Sequence, residues 1–150
     1  MLIKNNDVSW MAKAIHQAKL AKANNEVPIG SVIVYNGELI AEAFNQPLTL
    51  CDPSAHAEII ALRQAGKHLN NYRLNGATLY VTLEPCIMCL GAMVHARIDR
   101  LVYAARDTKK DSLALFSQLA SSLNHTMDIQ GGILENEAGT LIKDFFKEKR

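Results

Sequence analysis

A histidine–glutamate pair and a more distant cysteine pair supply the residue types of a catalytic metal centre. His56 and Glu58 are separated by one alanine, and Cys86 and Cys89 have the spacing C-x-x-C. Imidazole and thiolate are common zinc ligands, and three protein ligands leave a fourth position open for water. Bound zinc lowers the pKa of that water from about 15.7 to about 7. We therefore predict one Zn²⁺ held by His56, Cys86 and Cys89, with Glu58 as the catalytic residue that carries protons.

Helix geometry decides whether these side chains can converge. Cys86 and Cys89 are three residues apart, so a helical start places both sulfurs on one side, and Pro85 suits the first helical position. His56 and Glu58 would point about 200° apart in an ideal helix. Both can reach one ion only if it lies at the irregular start of the helix. On that condition, the pattern predicts hydrolytic removal of an amine.

Several alternatives to this site remain open. A single C-x-x-C pair also fits a redox pair or half of a structural zinc site, and Glu58 could be a solvated helix carboxylate. Ligation by Cys51 would close the site and make it structural, but its place ahead of Asp52-Pro53 favours a free thiol. The remaining histidines lack ligand-like spacing and are expected on the surface or in satisfied positions: His16, His68, His95 and His125.

The elements that must position these residues alternate along the chain. In chain order we predict a helix over 8–23, strands over 29–35 and 38–44, a loop over 45–52, a helix from Asp52 to about Lys67, a strand over 77–83, a helix from Pro85 to about Ala96, a strand over 101–105, a helix over 112–122, a strand over 126–130 and a helix over 135–147. Asp7 or Ser9 would cap the first helix, and Asn36-Gly37 is a strong hairpin signal. A hairpin followed by strand–helix alternation predicts an α/β fold of three layers, α/β/α, with a mixed five-stranded sheet and helices on both faces.

Length and composition bound the class of protein. A chain of 150 residues with 49% apolar and 21% charged residues fits a single globular domain over 1–150. No apolar run approaches the roughly 18 residues of a membrane span, so no membrane partner is expected. The polar start over 1–7 lacks the apolar core of a secretory signal, and three cysteines are too few for a disulfide framework. Cytoplasmic location is therefore expected.

Charge is informative only in its distribution. The formal net charge of +1 gives no evidence for nucleic-acid binding. Basic residues nevertheless gather in two stretches, over 97–110 and over 147–150. Such clusters can neutralise phosphates, although a solvated surface is the commoner role of exposed charges.

The combined segments resemble the zinc-dependent nucleoside and nucleobase deaminases, whose signature is H-x-E followed by P-C-x-x-C. The resemblance narrows to the bacterial tRNA-editing adenosine deaminases and extends over nearly the whole chain. It rests on segments 26–30, 45–47, 52–58, 82–86, 91–93, 105–107 and 144–146.

This resemblance implies a cytidine deaminase-like fold and a substrate, the wobble adenosine of a tRNA anticodon, that is converted to inosine. It also implies a homodimer that binds the anticodon stem-loop near the subunit junction. Carried over by position, the substrate-binding residues are Asn45, which contacts the flipped base, and Val27, Pro28, Leu83 and Ala57, which line its pocket. The RNA-binding residues are Arg106, Asp107, Lys109, Lys110, Phe145, Lys149 and Arg150.

One segment departs from the family pattern. After Arg106-Asp107 the family usually has a small, glycine-rich loop, whereas residues 108–113 here are shorter and lack glycine. We expect an altered loop in which Lys109 and Lys110 contact phosphates.

Two other functions compete with tRNA editing. A deaminase of a free base or nucleoside, of the guanine or cytosine type, would share the metal site without needing the basic tail. A non-catalytic, zinc-stabilised RNA-binding module would bind tRNA and form no product.

Overall fold

The structure, a computed structural model, describes residues 6–149 and contains a five-stranded sheet between two layers of helices. The elements are α1 (Asp7–Ala23), β1 (Gly30–Tyr35), β2 (Glu38–Phe44), α2 (Pro47–Leu50), α3 (Ala57–Leu69), β3 (Thr78–Leu83), α4 (Ile87–His95), β4 (Arg100–Ala105), α5 (Ser112–Gln118), a 3-10 turn (Ala120–Ser122), β5 (Asp128–Gln130) and α6 (Glu135–Glu148). The strand order is β2-β1-β3-β4-β5, antiparallel from β2 to β3 and parallel from β3 to β5. The predicted mixed sheet with helices on both faces is confirmed.

Two hydrophobic clusters lie on opposite faces of this sheet, because successive strand residues point to opposite sides. Ile33 and Val81 join the cluster under α3, α4 and α5. Val32 and Tyr80, each one residue earlier, join the cluster under α1 and α6. Strand β3 is therefore buried on both faces, as expected for a central strand of a three-layer fold.

Four strands have an end at the same edge of the sheet. Gly30, which begins β1, pairs with Phe44, which ends β2, and Leu83 at the end of β3 pairs with Ala105 at the end of β4. Since β1 runs antiparallel to β3, its start lies beside the end of β3. We call the edge formed by Gly30, Phe44, Leu83 and Ala105 the site edge, because the segments that carry the predicted site residues begin there.

The start of α1 differs from the prediction. Neither Asp7 nor Ser9 caps the helix with its side chain. Asp7 is instead buried, where its carboxylate accepts two hydrogen bonds from the Arg100 guanidinium, at 2.8 and 2.7 Å, and one from the Tyr80 hydroxyl, at 2.7 Å. A buried carboxylate is stabilised by such a partner more than by a cap, so α1 is fixed to β3 and β4.

The helices that follow the loops begin later than predicted. The helix expected from Asp52 begins at Ala57, because the Asp52 carboxylate accepts hydrogen bonds from the backbone N–H and hydroxyl of Ser54 and forms a turn. The predicted loop before it contains the short helix α2, with Pro47 at its first position. Helix α4 begins at Ile87, two residues after Pro85, because Cys86 keeps an extended backbone as its N-cap.

Other boundaries are closer to expectation. The Asn36-Gly37 hairpin is confirmed, with φ values of +51° and +75° that match a tight two-residue turn. The helix predicted over 112–122 ends at Gln118 and is followed by the 3-10 turn, and β5 begins at Asp128 rather than at residue 126. Among residues 6–149, no helix is long and apolar enough to cross a bilayer.

Gly30 permits a close approach between α1 and β1. A Cβ at this position would collide with the carbonyl oxygen of Ala14 and lie 2.5 Å from the backbone nitrogen of Ala18. The backbones of helix and strand are therefore in near contact at the site edge, and a larger residue would push them apart.

Candidate active site

Three predicted metal ligands meet at the site edge. His56 is the N-cap of α3, Cys86 is the N-cap of α4, and Cys89 lies in the first turn of α4. The Nδ1 atom of His56 is 3.6 Å from Sγ of Cys86 and 3.5 Å from Sγ of Cys89. All three donor atoms lie within 4.8 Å of one another. Two helix starts thus bring together residues that are 30 and 33 positions apart.

The backbone at these two helix starts is extended. His56 has φ −70° and ψ 152°, and Cys86 has φ −74° and ψ 170°. Each residue still accepts the first helical hydrogen bond, from Ile60 and Leu90 respectively. The condition set by helix geometry is therefore met: His56 precedes the regular turns of α3, and the 200° separation from Glu58 does not apply.

The spacing of the three donor atoms fits a tetrahedral zinc ion. Bonds of about 2.3 Å to sulfur and about 2.0–2.1 Å to nitrogen would separate the two donors by about 3.6 Å. Hydrogen bonding from Cys89, followed by that from His56, lowers the pKa of Cys86 to about 3. The same contact raises the pKa of Cys89. The contact thus favours the charged form of Cys86, and zinc binding requires both sulfurs as thiolates.

Glu58 lies beside this cluster and outside its ligand set. It is the second residue of α3 and is 4% exposed. Burial raises the pKa of its carboxyl to about 6, although hydrogen bonds from its own backbone N–H and from the Cys89 side chain act in the opposite direction. Within the described chain, the group of side chains close enough to share an ion consists of His56, Cys86 and Cys89.

The remaining cysteine and histidines lie outside this group. Cys51 is an exposed free thiol in the left-handed conformation after α2. His16, His68 and His95 are exposed, and Nε2 of His125 is 2.7 Å from the carbonyl oxygen of Ile98. The open, three-ligand arrangement is thus favoured over a closed one with Cys51.

Four of the five predicted base-pocket residues adjoin or belong to the site edge. Val27 and Pro28 precede β1, Asn45 follows β2, and Leu83 ends β3. The backbone N–H of Asn45 donates to the carbonyl of Ile29 at 3.0 Å, and Asn45 is 6% exposed. Ala57 begins α3 and is fully buried, so neither its side chain nor its backbone is exposed in this structure.

Sequence comparisons place the chain among the deaminases. A family model described as MafB19-like deaminase matches residues 5–150. A tRNA-specific adenosine deaminase of Buchnera aphidicola subsp. Schizaphis graminum is 43% identical over 150 residues, which cover 97% of each chain. One from Bacillus subtilis is 44% identical over 146 residues, covering 96% of this chain and 91% of that protein. The chain belongs to the tRNA-specific adenosine deaminase family.

A solved structure gives the same assignment. A protein studied for A-to-I editing by tRNA deaminases at the wobble position of transfer RNA superposes with a TM-score of 0.84 at 42% identity. The match covers 89% of this chain and 98% of that one. The cytidine deaminase-like fold expected from the resemblance is thereby confirmed, and the chain is a deaminase by family.

The predicted RNA-binding residues after β4 form an exposed rim. Arg106, Lys109 and Lys110 are exposed, and the Asp107 carboxylate accepts a hydrogen bond from the backbone N–H of Lys109 at 3.1 Å. Lys110 is close enough to affect His56: hydrogen bonding to Cys86 raises the pKa of that imidazole, while burial and the charge of Lys110 oppose the shift. The glycine-free loop therefore brings a cation near His56, one of the predicted metal ligands.

The C-terminal residues of α6 divide between core and surface. Phe145 is buried, with Nζ of Lys149 5.3 Å from its ring centroid. Phe146 is 45% exposed and packs edge to face on Phe145, so it is the ring with an accessible face. The sequence prediction named Phe145 as an RNA-binding residue, and this ring is the less exposed of the two. Arg150 lies outside the described residues.

Two buried carboxylates near the site were not assigned a role from the sequence. Glu84, directly before Pro85, faces the Arg106 side chain at 3.9 Å and the backbone N–H of Leu113 at 3.5 Å. It thereby connects the Pro85-Cys86 segment to the residues that follow β4. Glu26, directly before Val27, is 1% exposed. In both cases the only sequence signal is an acidic residue adjoining a motif.

Proposed function

We propose that this chain, as one deaminase domain over 1–150, hydrolyses the wobble adenosine of a tRNA anticodon to inosine. The observation that carries the proposal is the convergence of His56, Cys86 and Cys89 beside the buried Glu58. The chain around it is 43% identical, over nearly its whole length, to a tRNA-specific adenosine deaminase. An anticodon loop is already single-stranded, so extrusion of its base costs less than in a duplex.

The three donors fit one Zn²⁺ ion, with His56 binding through Nδ1 and the two cysteines through Sγ. This assignment is supported by the donor distances and by the acidity of the Cys86 thiol. When bound, zinc supplies a water molecule of lowered pKa and a positive charge at the reacting carbon.

Glu58 is proposed to move the protons. Its carboxylate takes a proton from the attacking water and returns it to nitrogen 1 of the adenine ring. The second proton of that water, now on the oxygen bound to carbon 6, passes through Glu58 to the amine, and the bond from carbon 6 to that nitrogen breaks to release ammonia. A general acid–base group works best with a pKa near the operating pH, and burial moves the pKa of Glu58 in that direction.

We assign recognition of the base to the pocket and binding of the phosphates to the rim. The amide of Asn45 offers a donor and an acceptor to the edge of a purine, between the apolar Val27, Pro28, Leu83 and Ala57. The cationic side chains of the rim and the tail would hold the phosphates of the loop. These are Arg106, Lys109, Lys110, Lys149 and Arg150. Asp107 and the aromatic pair at 145–146 would contact other parts of the loop.

We also propose a homodimer that acts in the cytoplasm on the anticodon stem-loop. Exposed apolar side chains at α2 and at the start of α4 support a protein partner near the site edge. They are Leu48, Leu50, Ile87 and Met88. The three cysteines are free, which suits a reducing compartment.

The test is a substrate comparison with purified, zinc-loaded protein. A stem-loop with adenosine at the wobble position, free adenosine, guanine and cytidine are incubated separately, and inosine and ammonia are measured. We expect equal amounts of inosine and ammonia from the stem-loop alone. Ammonia from guanine or cytidine would support a small-molecule deaminase, and stem-loop binding without product from any substrate would support a non-catalytic module.

A further inference from the structure

Glu26 makes an internal contact that the proposed chemistry does not use. Its carboxylate accepts three hydrogen bonds from α2: from the Leu48 N–H at 3.2 Å, the Thr49 N–H at 2.7 Å and the Thr49 hydroxyl at 2.7 Å. Burial alone would raise the pKa of Glu26, but the bonds from Thr49 and Leu48 outweigh it and lower that pKa. The ion pairs found within residues 6–149 do not include Glu26. Within residues 6–149, the hydrogen bonds that stabilise its negative charge therefore come from α2.

The contact joins the two segments that carry Asn45 and the Val27-Pro28 pair of the proposed base pocket. Glu26 directly precedes Val27 and Pro28, and its three donors follow Asn45 by three and four residues. A backbone hydrogen bond from Asn45 to Ile29 joins the same two segments at a second point. Fixing α2 to Glu26 thus fixes Asn45 relative to Val27 and Pro28.

Helix α2 cannot hold this position by itself. It has four residues, of which Leu48 and Leu50 are largely exposed and none is buried. A helix of that length is not stable in isolation. Apart from the Glu26 contact, the segment is attached through its ends, where Gln46 donates to the carbonyl of Ala55 at 3.0 Å. That bond lies next to His56, so displacement of α2 would also reach the start of α3.

We propose that Glu26 is a positioning residue for substrate recognition: it keeps Asn45 at a fixed distance from the Val27-Pro28 wall. The proposal rests on the proposed function for its substrate. It assigns Glu26 no contact with the base and no part in proton transfer. Its loss should therefore weaken substrate capture more than the chemical step.

The principal variant is Glu26→Gln, which keeps the shape and size of the side chain. An amide places an NH₂ group against N–H donors, so at least one of the three bonds is lost. Loss of one hydrogen bond to a charged group corresponds to a factor of about ten or more. We expect KM for the stem-loop to rise at least about tenfold, while kcat at saturation changes by less than about threefold and zinc content stays constant.

Three further variants separate positioning from a general loss of structure. Tyr80→Phe also removes one buried hydrogen bond, away from the pocket, and should leave KM unchanged. Thr49→Val removes one of the three bonds and should raise KM, whereas Thr49→Ser keeps the hydroxyl and should restore the wild-type value. If Glu26→Gln does not fold, the KM values of Thr49→Val and Thr49→Ser test the proposal instead.

Hydrogen exchange gives a readout that is independent of activity. In the zinc-loaded protein without RNA, the amides of Leu48 and Thr49 should exchange at least about tenfold faster in Glu26→Gln than in wild type, while the Leu90 amide in α4 is unchanged. If wild-type protein forms no inosine, the proposed function fails, and exchange still decides the role of Glu26. An unchanged KM in folded Glu26→Gln and Thr49→Val, an equal rise in Tyr80→Phe, or unchanged exchange at both amides would overturn the proposal.

Discussion

Glu26 and Glu58 are two buried carboxylates near the same edge of the sheet, in opposite environments. Glu58 is 4% exposed, and burial dominates, so that its pKa rises to about 6. Glu26 is 1% exposed, yet three hydrogen bonds from α2 lower its pKa against the effect of burial. A low exposed fraction therefore does not by itself determine the charge state of a carboxylate.

The difference lies in the donors that each carboxylate receives. A buried anion with several N–H and O–H donors stays charged and holds those donors in place. One with fewer donors can change its protonation state near neutrality, which is what a proton carrier requires. Asp7 is a third case, in which a paired guanidinium replaces the lost water. Each environment predicts a different consequence of substitution.

The largest effect is expected for Glu58→Gln. The amide keeps the shape of the side chain but cannot take a proton from water, so the single-turnover rate on the stem-loop should fall by about 10²–10⁴-fold. The rate is measured at saturating enzyme, which removes effects on binding. A rate within tenfold of wild type would contradict the proposed difference between Glu58, which acts on the chemical step, and Glu26, whose substitution should change KM.

The next effect concerns stability rather than turnover. Asp7→Ala leaves the Arg100 guanidinium, whose side chain is 5% exposed, without its carboxylate. Breaking a buried pair in this way costs about 3–5 kcal/mol in the free energy of unfolding. Urea unfolding with equal zinc in both samples measures it, and the folded variant should keep wild-type kcat and KM. A decrease of less than about 1 kcal/mol in the free energy of unfolding would show that the ion pair with Arg100 does not stabilise the Asp7 carboxylate.

Exposed charges extend the comparison to a weaker class of interaction. Replacing Lys109 and Lys110 together by alanine should reduce the slope of log affinity against log salt by about 1.4, if each contacts one phosphate of a single-stranded loop. Affinity for the stem-loop is titrated at several salt concentrations. Lys67→Ala, exposed near the far end of α3, is the matched control and should leave the slope unchanged. Equal slopes for wild type, the double variant and Lys67→Ala would show that Lys109 and Lys110 do not contact RNA phosphates.

The smallest effect is expected for the exposed thiol. Cys51→Ser should leave both zinc content and turnover at wild-type values, because Cys51 lies outside the His56, Cys86 and Cys89 group. Elemental analysis and the stem-loop assay on one preparation measure both. Zinc loss in this variant would mean that the site is closed rather than open.

Local signals explain what was predictable from the sequence. The Asn36-Gly37 turn and the spacing of Cys86 and Cys89 each depend on a few neighbouring residues, and both are present as expected. The strand–helix alternation likewise depends on periodicity within each element, so the layers and the sheet followed from it. His56 was predicted to bind the same ion as the cysteines because it lies at a predicted helix start. The structure places it at the start of α3.

The remainder depended on partners distant in sequence or on competing local choices. Asp7 was expected to be a cap because its actual partner, Arg100, is 93 residues away. Glu26 went unassigned because its donors are 22 and 23 residues away. Asp52 suits a helix cap and a turn equally well, and its bonds to Ser54 favour the turn. Phe145 and Phe146 are adjacent, and only packing on the sheet decides which one is buried.

The central claim is that Glu58 moves protons without holding the metal. It is tested most directly by the zinc content of purified Glu58→Gln, measured on the same sample as its single-turnover rate. We predict about one zinc per chain, equal to wild type, together with the loss of rate. Zinc below half of the wild-type content would contradict the account, because it would make Glu58 part of the metal site.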